Sequence, residues 1–450
     1  MPEITNQTTG HQTPASDLQS PSSDRSSPSG SAPRLEKPVR ITEQVWPEVT
    51  VPVVSILCVT YNHINFIRDA IEGFLMQETT FPLEIVIHDD ASTDGTAEIV
   101  KEYAEKYPQV FRTILQKKNL YSSGNLPNGG EMAQRYCHGE FIALCEGDDY
   151  WISKEKLQKQ VEALEKNKQV SFVFHKAFEE LVNFQSKSSL NSNFRGVRFQ
   201  LTDMFKFSFV IPTASMLMRK ACISSPNWLS GCICGDRALQ LILLDKGPAV
   251  FIEKTWSVYR THAGGVTRAI SKNYATTVIP NWIAMYYGFN ETTENRHGNL
   301  IQKEIRRLVG ERSRFQIYAL RAEQTSFRGD DKPPETMQSR DHCCNVIQTL
   351  LEDTAACLRD SDKEWFLRSA IYKETVAEAL LSTGDAWYVR KQFGRACQFY
   401  QAASSEGSRR ADFYRAVLKF GYAGRAVRSL MHRAWLGWSR VSGKGAKSEH

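Results

Sequence analysis

Four short apolar runs dominate the first third of this chain, at residues 53–60, 83–88, 111–115 and 140–145. Runs of this length are strands rather than buried helices, and the first two are rich in Val and Ile. Between them lie segments of helical period. Residues 64–76 carry Ile67, Ala70, Ile71, Phe74 and Leu75 at helical spacing. Residues 96–107 read as a second helix with Ser92 or Thr93 as its cap, and a short helix is expected over 132–137. Strands alternating with helices at this spacing imply βαβ units, hence an α/β fold with a mainly parallel central sheet. Ligands of such sheets gather beyond the carboxyl ends of the strands.

The pattern continues more loosely. Residues 154–167 read as an amphipathic helix, 170–174 as a strand and 178–197 as a polar, irregular stretch. A helix starts near Asp236 and runs to 244, and 250–259 closes the sheet region. Beyond about residue 273 the reading is all-helical, over 281–289, 300–320, 343–358, 364–381, 385–402 and 411–418. Gly329, Pro333 and Pro334 mark 326–336 as a linker. The expected organisation is a disordered leader over 1–50, an α/β domain over 51–270, a helical extension over 271–330, and a C-terminal helical domain over 331–450 with a basic tail. The leader rests on residues 5–33, which are mostly Thr, Ser, Pro, Gln and Asn and have little to bury.

Several classes are excluded. The leader lacks a basic segment followed by an apolar one, so it does not read as a secretory signal. No uncharged apolar stretch of membrane-spanning length occurs; the longest candidate, 239–252, is interrupted by Asp245 and Lys246. The ten cysteines include Cys232-Ile-Cys234 and adjacent Cys343-Cys344, which lack the paired spacing of a zinc site. A reduced, cytoplasmic setting is the expectation. Net charge is +6, concentrated in the tail, where residues 409–450 hold ten Lys or Arg against two acids. That tail reads as a solvated helix face or as an amphipathic surface for peripheral contact with the inner face of a membrane. No nucleic-acid recognition motif accompanies the charge, and none is expected as a partner. The glycine patterns of a P-loop and of a dinucleotide-binding Rossmann unit are missing.

Two acidic pairs stand at strand ends. Asp148 and Asp149, in Glu-Gly-Asp-Asp-Tyr-Trp, follow the fourth run; Asp89 and Asp90 follow the second. Adjacent carboxylates repel, a cost that a divalent cation relieves. Mg²⁺ and Mn²⁺ bridge such carboxylates to phosphate. A turn or helix cap explains each pair equally well when taken alone. Asp236, in Cys-Gly-Asp-Arg-Ala, is a helix cap or a general base. His262, in Tyr-Arg-Thr-His-Ala-Gly-Gly, is a surface residue or a further metal ligand.

Taken in order, these segments resemble the inverting GT-A glycosyltransferases of family 2, over roughly residues 53–266. The resemblance is carried by Val54-Ser55-Ile56-Leu57-Cys58-Val59-Thr60-Tyr61-Asn62, by Glu84 to Thr96 with His88-Asp89-Asp90-Ala91-Ser92-Thr93-Asp94-Gly95 at its centre, and by Gly139 to Asp149, which resembles the strand delivering the family's DxD-type metal site. It implies a GT-A nucleotide-sugar-binding domain followed by the helical region. It further implies that Thr60, Tyr61, Asp89, Asp90 and Asp148 contact the donor, with Tyr61 against the base and Asp90 binding it. Asp149 and His262 would hold Mn²⁺ or Mg²⁺, and Asp236 would be the catalytic base. Glu146 is an unassigned carboxylate. Ala91 stands where glycine is usual, which implies a turn without positive φ. The implied activity is metal-dependent transfer of a sugar to a hydroxyl of a saccharide or glycolipid, in bacterial polysaccharide or lipopolysaccharide assembly; an oligomer is possible. The rival readings are a non-catalytic nucleotide-sugar-binding protein, a helical interaction protein and a nucleotidyltransferase.

Overall fold

The computed structural model describes residues 33–124, 127, 129–182, 186–190, 196–206, 211–229, 232–265, 273–326, 340–389 and 393–405. The tail beyond 405, the 411–418 helix and nearly all of the expected linker lie outside them.

The strands are β1 (Val39–Arg40), β2 (Val54–Thr60), β3 (Glu78–Thr79), β4 (Leu83–Asp89), β5 (Phe111–Leu115), β6 (Phe141–Leu144), β7 (Tyr150–Trp151), β8 (Phe172–Leu181), β9 (Ser186–Leu190), β10 (Arg198–Phe199), β11 (Leu217–Arg219) and β12 (Ala249–Thr261). The helices of the sheet region are α1 (Ile67–Leu75), α2 (Thr96–Lys106), α3 (Gly129–Tyr136), α4 (Lys156–Lys166), α5 (Leu201–Lys206) and α6 (Gly235–Lys246). Beyond them follow α7 (Ile279–Thr292), α8 (Gly298–Ser326), α9 (Arg340–Ala356), α10 (Asp360–Arg368), α11 (Ala370–Val389) and α12 (Phe393–Ser405).

The main sheet runs β10-β12-β8-β11-β6-β2-β4-β5. The expected βαβ half is parallel: β6, β2, β4 and β5 lie side by side in one direction. The other half is mixed. Strand β11 is antiparallel to β6 and β8, while β12 runs parallel to β8. Residues 178–181 and 186–190, expected to be irregular, are strand. Strand β8 continues to Leu181 and folds back on β9. Its outer half is only partly buried, so no apolar run announces it. The helix expected over 364–381 breaks at Ser369, whose backbone is extended (ψ 158°).

Burial follows the two faces of β2. Val54, Ile56 and Cys58 point into one apolar layer with α1, α2 and α4. Leu57 points to the other side, into a layer that runs without interruption through α6 into α7, α8 and the later helices. The expected leader ends earlier than residue 50. Strand β1 pairs with β3, and Ile41 is 1% exposed in the first layer. A single isoleucine inside a polar stretch gave too little apolar pattern to reveal that docking.

Candidate active site

Strands β2, β4 and β6 end side by side, and each delivers its acidic or polar residues to the same edge. The loop after β2 is fixed by the segment after β4. Asn62 takes a left-handed conformation (φ 55°). Its amide N–H donates to Ser92 Oγ, and its side-chain oxygen accepts the Thr93 N–H. The His63 N–H donates to Thr96 Oγ1 and the Ile64 N–H to Asp94. The Ser-Thr-Asp of the family-like motif is therefore scaffolding for the Tyr-Asn-His turn. Asp94 also accepts from Thr96 at the start of α2, the job that the sequence reading gave to Ser92 or Thr93.

Asp89 and Asp90 are both 1% exposed. One oxygen of Asp89 accepts the Ser92 N–H at 3.0 Å. Its other oxygen, with Thr60 Oγ1 and His63 Nδ1, is buried without a hydrogen-bond partner among the described residues. Both Asp90 oxygens accept backbone N–H groups, from Leu120 at 2.7 Å and Tyr121 at 3.0 Å. Tyr61 is 43% exposed and Tyr121 55%, so two aromatic rings flank this edge. Ala91 has φ 62°, which corrects the expectation of a turn without positive φ. The Asp89 carboxylate, accepting the Ser92 N–H, closes a tight turn that spans Ala91.

The carboxylates after β6 divide sharply. Asp148 Oδ2 lies 3.1 Å from His262 Nε2 and 3.7 Å from His63 Nε2. Burial alone would raise its pKa, but the His262 hydrogen bond and the nearby His63 hold it below the usual range. Asp149, expected on the cation, is 2% exposed, and its Oδ1 accepts the Arg260 N–H at 2.8 Å. Burial and the charges of Asp148 and Glu146 push its carboxyl well up. Glu146 is pushed up to about 8 by burial, then by Asp148 and Asp236. Three carboxyl groups crowded so that two resist ionisation are a site that a divalent cation would relieve. The oxygen and imidazole donors fit such an ion: His63, Asp148 and His262 present ligand atoms within 4.8 Å of one another.

Arg260, to which the sequence assigns no role, joins several parts of the site. Besides its N–H to Asp149, its guanidinium donates to the Asp148 carbonyl at 3.2 Å and to Glu180 at 3.3 Å, and pairs with Asp69. It lies over Tyr150, 4.2 Å from the ring centroid, and near Phe66. Phe66 in turn packs on His262, ring centroids 4.7 Å apart. The only sequence signal was that Arg260 sits two residues before His262. Asp236 lies in the first turn of α6, exposed, and close enough to Glu146 to raise its pKa. No side chain caps α6 among the described residues.

Comparison with known proteins gives this arrangement its place. Residues 55–224 match the model of Glycosyl transferase family 2. The chain carries a family 2 glycosyltransferase domain. Its sheet and helices have the GT-A-like arrangement, followed by the helical region. An uncharacterised protein of Mycobacterium tuberculosis is 46% identical over 121 residues, 27% of this chain and 34% of that one. A Bacillus subtilis protein named as a candidate glycosyltransferase, EpsE, is 34% identical over 122 residues, 27% of this chain and 42% of that one. This chain therefore spans well under half the length of these relatives. Among solved structures, Staphylococcus aureus TarS 1–349 in complex with UDP covers 75% of this chain and 91% of its own, at 15% identity and a TM-score of 0.46. A Pyrobaculum calidifontis mannosyltransferase in complex with GDP-Man and Mn²⁺ covers 76% and 92%, at 14% identity and a TM-score of 0.35. Among the described residues no helix is long and apolar enough to cross a membrane.

Proposed function

We propose that this protein is a metal-dependent inverting glycosyltransferase that moves a sugar from a nucleotide-sugar to a hydroxyl of a saccharide or glycolipid. The observation that carries the reading is Asp148 Oδ2, 3.1 Å from His262 Nε2 and 3.7 Å from His63 Nε2 in a family 2 domain, with Asp236 exposed and near Glu146. The sequence assigned the cation to Asp149. We assign it to Asp148 and His262, because Asp149 spends an oxygen on Arg260 and is buried. Mn²⁺ or Mg²⁺ held there would neutralise charge on the departing diphosphate. Tyr61 stacks on the base, and Thr60, Asp89 and Asp90 line its ribose and base end. Asp236 removes the proton from the acceptor hydroxyl as that oxygen attacks the anomeric carbon. The bond to the diphosphate breaks on the opposite face, which inverts the centre. A named relative, TuaG of Bacillus subtilis, is described as a candidate teichuronic acid biosynthesis glycosyltransferase and is 33% identical over 111 residues. That likeness favours assembly of a bacterial surface polysaccharide.

The test is a panel of nucleotide-sugars with Mn²⁺ or Mg²⁺ and mixed saccharide and glycolipid acceptors. Release of nucleoside diphosphate, lost in Asp148→Asn, is the expected result. Asp236→Asn should bind the donor normally and lose turnover by at least about 10²-fold. Release of pyrophosphate would make the protein a nucleotidyltransferase. Donor binding without any turnover would leave a non-catalytic binding protein.

A further inference from the structure

No motif in the sequence marks His63, yet the fold places it firmly. The turn that holds it is tied at four points to the segment 92–96. Its carbonyl accepts the N–H groups of Phe66 and Ile67 at the start of α1. Its imidazole is 16% exposed, with Nε2 turned to the same Asp148 oxygen that faces His262 Nε2. The two imidazole planes are nearly perpendicular, at 86°, with centroids 6.2 Å apart. Phe66 touches both rings, 6.4 Å from His63 and 4.7 Å from His262 between centroids. Gly147 completes the enclosure. A Cβ there would lie 3.0 Å from His63 Nδ1 and 2.5 Å from Thr60 Oγ1, so only glycine lets the acidic loop come down on the histidine.

We infer that His63 is a third protein ligand, so that the cation is held by two imidazoles and one carboxylate, and that this donor set selects Mn²⁺-type ions over Mg²⁺. The inference rests on the proposed metal-dependent reading of the same site. Asp148 Oδ2 lies 3.1 Å from His262 Nε2 and 3.7 Å from His63 Nε2, separations open to donors on one ion at about 2.1 Å, which stand at most about 4.2 Å apart. Mg²⁺ demands oxygen donors in near-ideal octahedral geometry, whereas Mn²⁺, Co²⁺ and Zn²⁺ accept imidazole. Three protein donors would leave the remaining positions of a six-coordinate ion to diphosphate oxygens. The competing explanation is that His63 is only an ion-pair partner of Asp148. It predicts a neutral effect on metal choice.

The test uses the full chain, stripped of metal. Mn²⁺ is titrated alone and with UDP, free Mn²⁺ is followed by electron paramagnetic resonance, and bound Mn²⁺ is examined by pulsed resonance for imidazole nitrogen couplings. The wild type should show couplings from two imidazoles and resist competition by a large excess of Mg²⁺. His63→Gln should retain a single coupling, bind Mn²⁺ at least about tenfold more weakly and be displaced by proportionately less Mg²⁺. If His63→Gln binds as the wild type does while Asp148→Asn and His262→Gln lose the ion, His63 is no ligand and only this inference falls. If the wild type shows a single coupling, it falls without recourse to any variant. If wild type and Asp148→Asn bind equally poorly, the metal reading itself falls, and this one with it.

Discussion

At the scale of single residues, the site is a lesson in how neighbours divide labour. Asp148 and Asp149 are adjacent and chemically alike, yet one faces two imidazoles and the other a backbone N–H. Ala91 is a residue in the wrong conformational class, with φ 62°. An L-residue in that region costs about 1–2 kcal/mol, and glycine removes the cost while adding freedom to the unfolded chain. Ala91→Gly should therefore stabilise by up to about 1 kcal/mol, read as a higher midpoint in chemical denaturation. Lys156 is fully buried, donates to Gln160 Oε1 at 2.8 Å and lies 3.9 Å from the Trp151 ring centroid. Burial pushes its pKa down to about 7 from an ordinary 10.5. The unfolded chain thus binds more protons than the folded one across that window. The Lys156 contribution to stability is lowest below about pH 7 and rises from there towards pH 10.5, by at most about 1.4 kcal/mol per pH unit. Lys156→Met should flatten that rise, as measured by thermal midpoints from pH 7 to 10.

At the scale of elements, the ends of β6, β8 and β12 are clamped by one side chain. Arg260 bonds the Asp148 carbonyl and Glu180, and its ring neighbours are Tyr150 and Phe66. Arg260→Met should lower kcat by about 10²-fold, the cost of small misplacement of reacting groups. Arg260→Lys should not rescue it, since an ammonium cannot fork between partners. Steady-state kinetics with the Mn²⁺ titration would separate lost turnover from lost metal. Helix α1 is pressed on β7 through Gly73, where a Cβ would meet the Trp151 backbone N at 2.9 Å and its O at 3.0 Å. Both contacting atoms are main chain, so neither can swing away. Gly73→Ala should cost about 1–3 kcal/mol, measured by denaturation.

At the scale of the whole molecule, the sheet domain and the helical region share one apolar layer. Helix α6 is the joint. Residues 238–244 are all buried, and Asp245 at its end pairs with His297 at 2.9 Å and Arg296 at 3.3 Å before α8. A chain ending after Gly265 would bare that layer. It is expected to collect in the insoluble fraction or to bind a hydrophobic dye; a soluble, cooperatively unfolding fragment would contradict this.

The sequence by itself determined the parallel half of the sheet, because β2, β4 and β6 are buried on both faces and so read as unbroken apolar runs. It also located the edge where Asp89, Asp90, Asp148 and Asp149 lie, because each pair comes at or just after the end of a parallel strand and parallel strands end at the same edge. It could not see β8 beyond Phe174 or β1, whose pairing is decided by backbone hydrogen bonds to distant strands rather than by side-chain pattern. Nor could it rank Asp148 against Asp149, or single out His63 and Arg260. Those distinctions depend on which groups face each carboxylate, and the partners come from positions 63, 260 and 262, brought together only when β12 crosses to the end of β6. Charge and burial at one point in space belong to no single stretch of chain, and for that physical reason only the tertiary structure decided them.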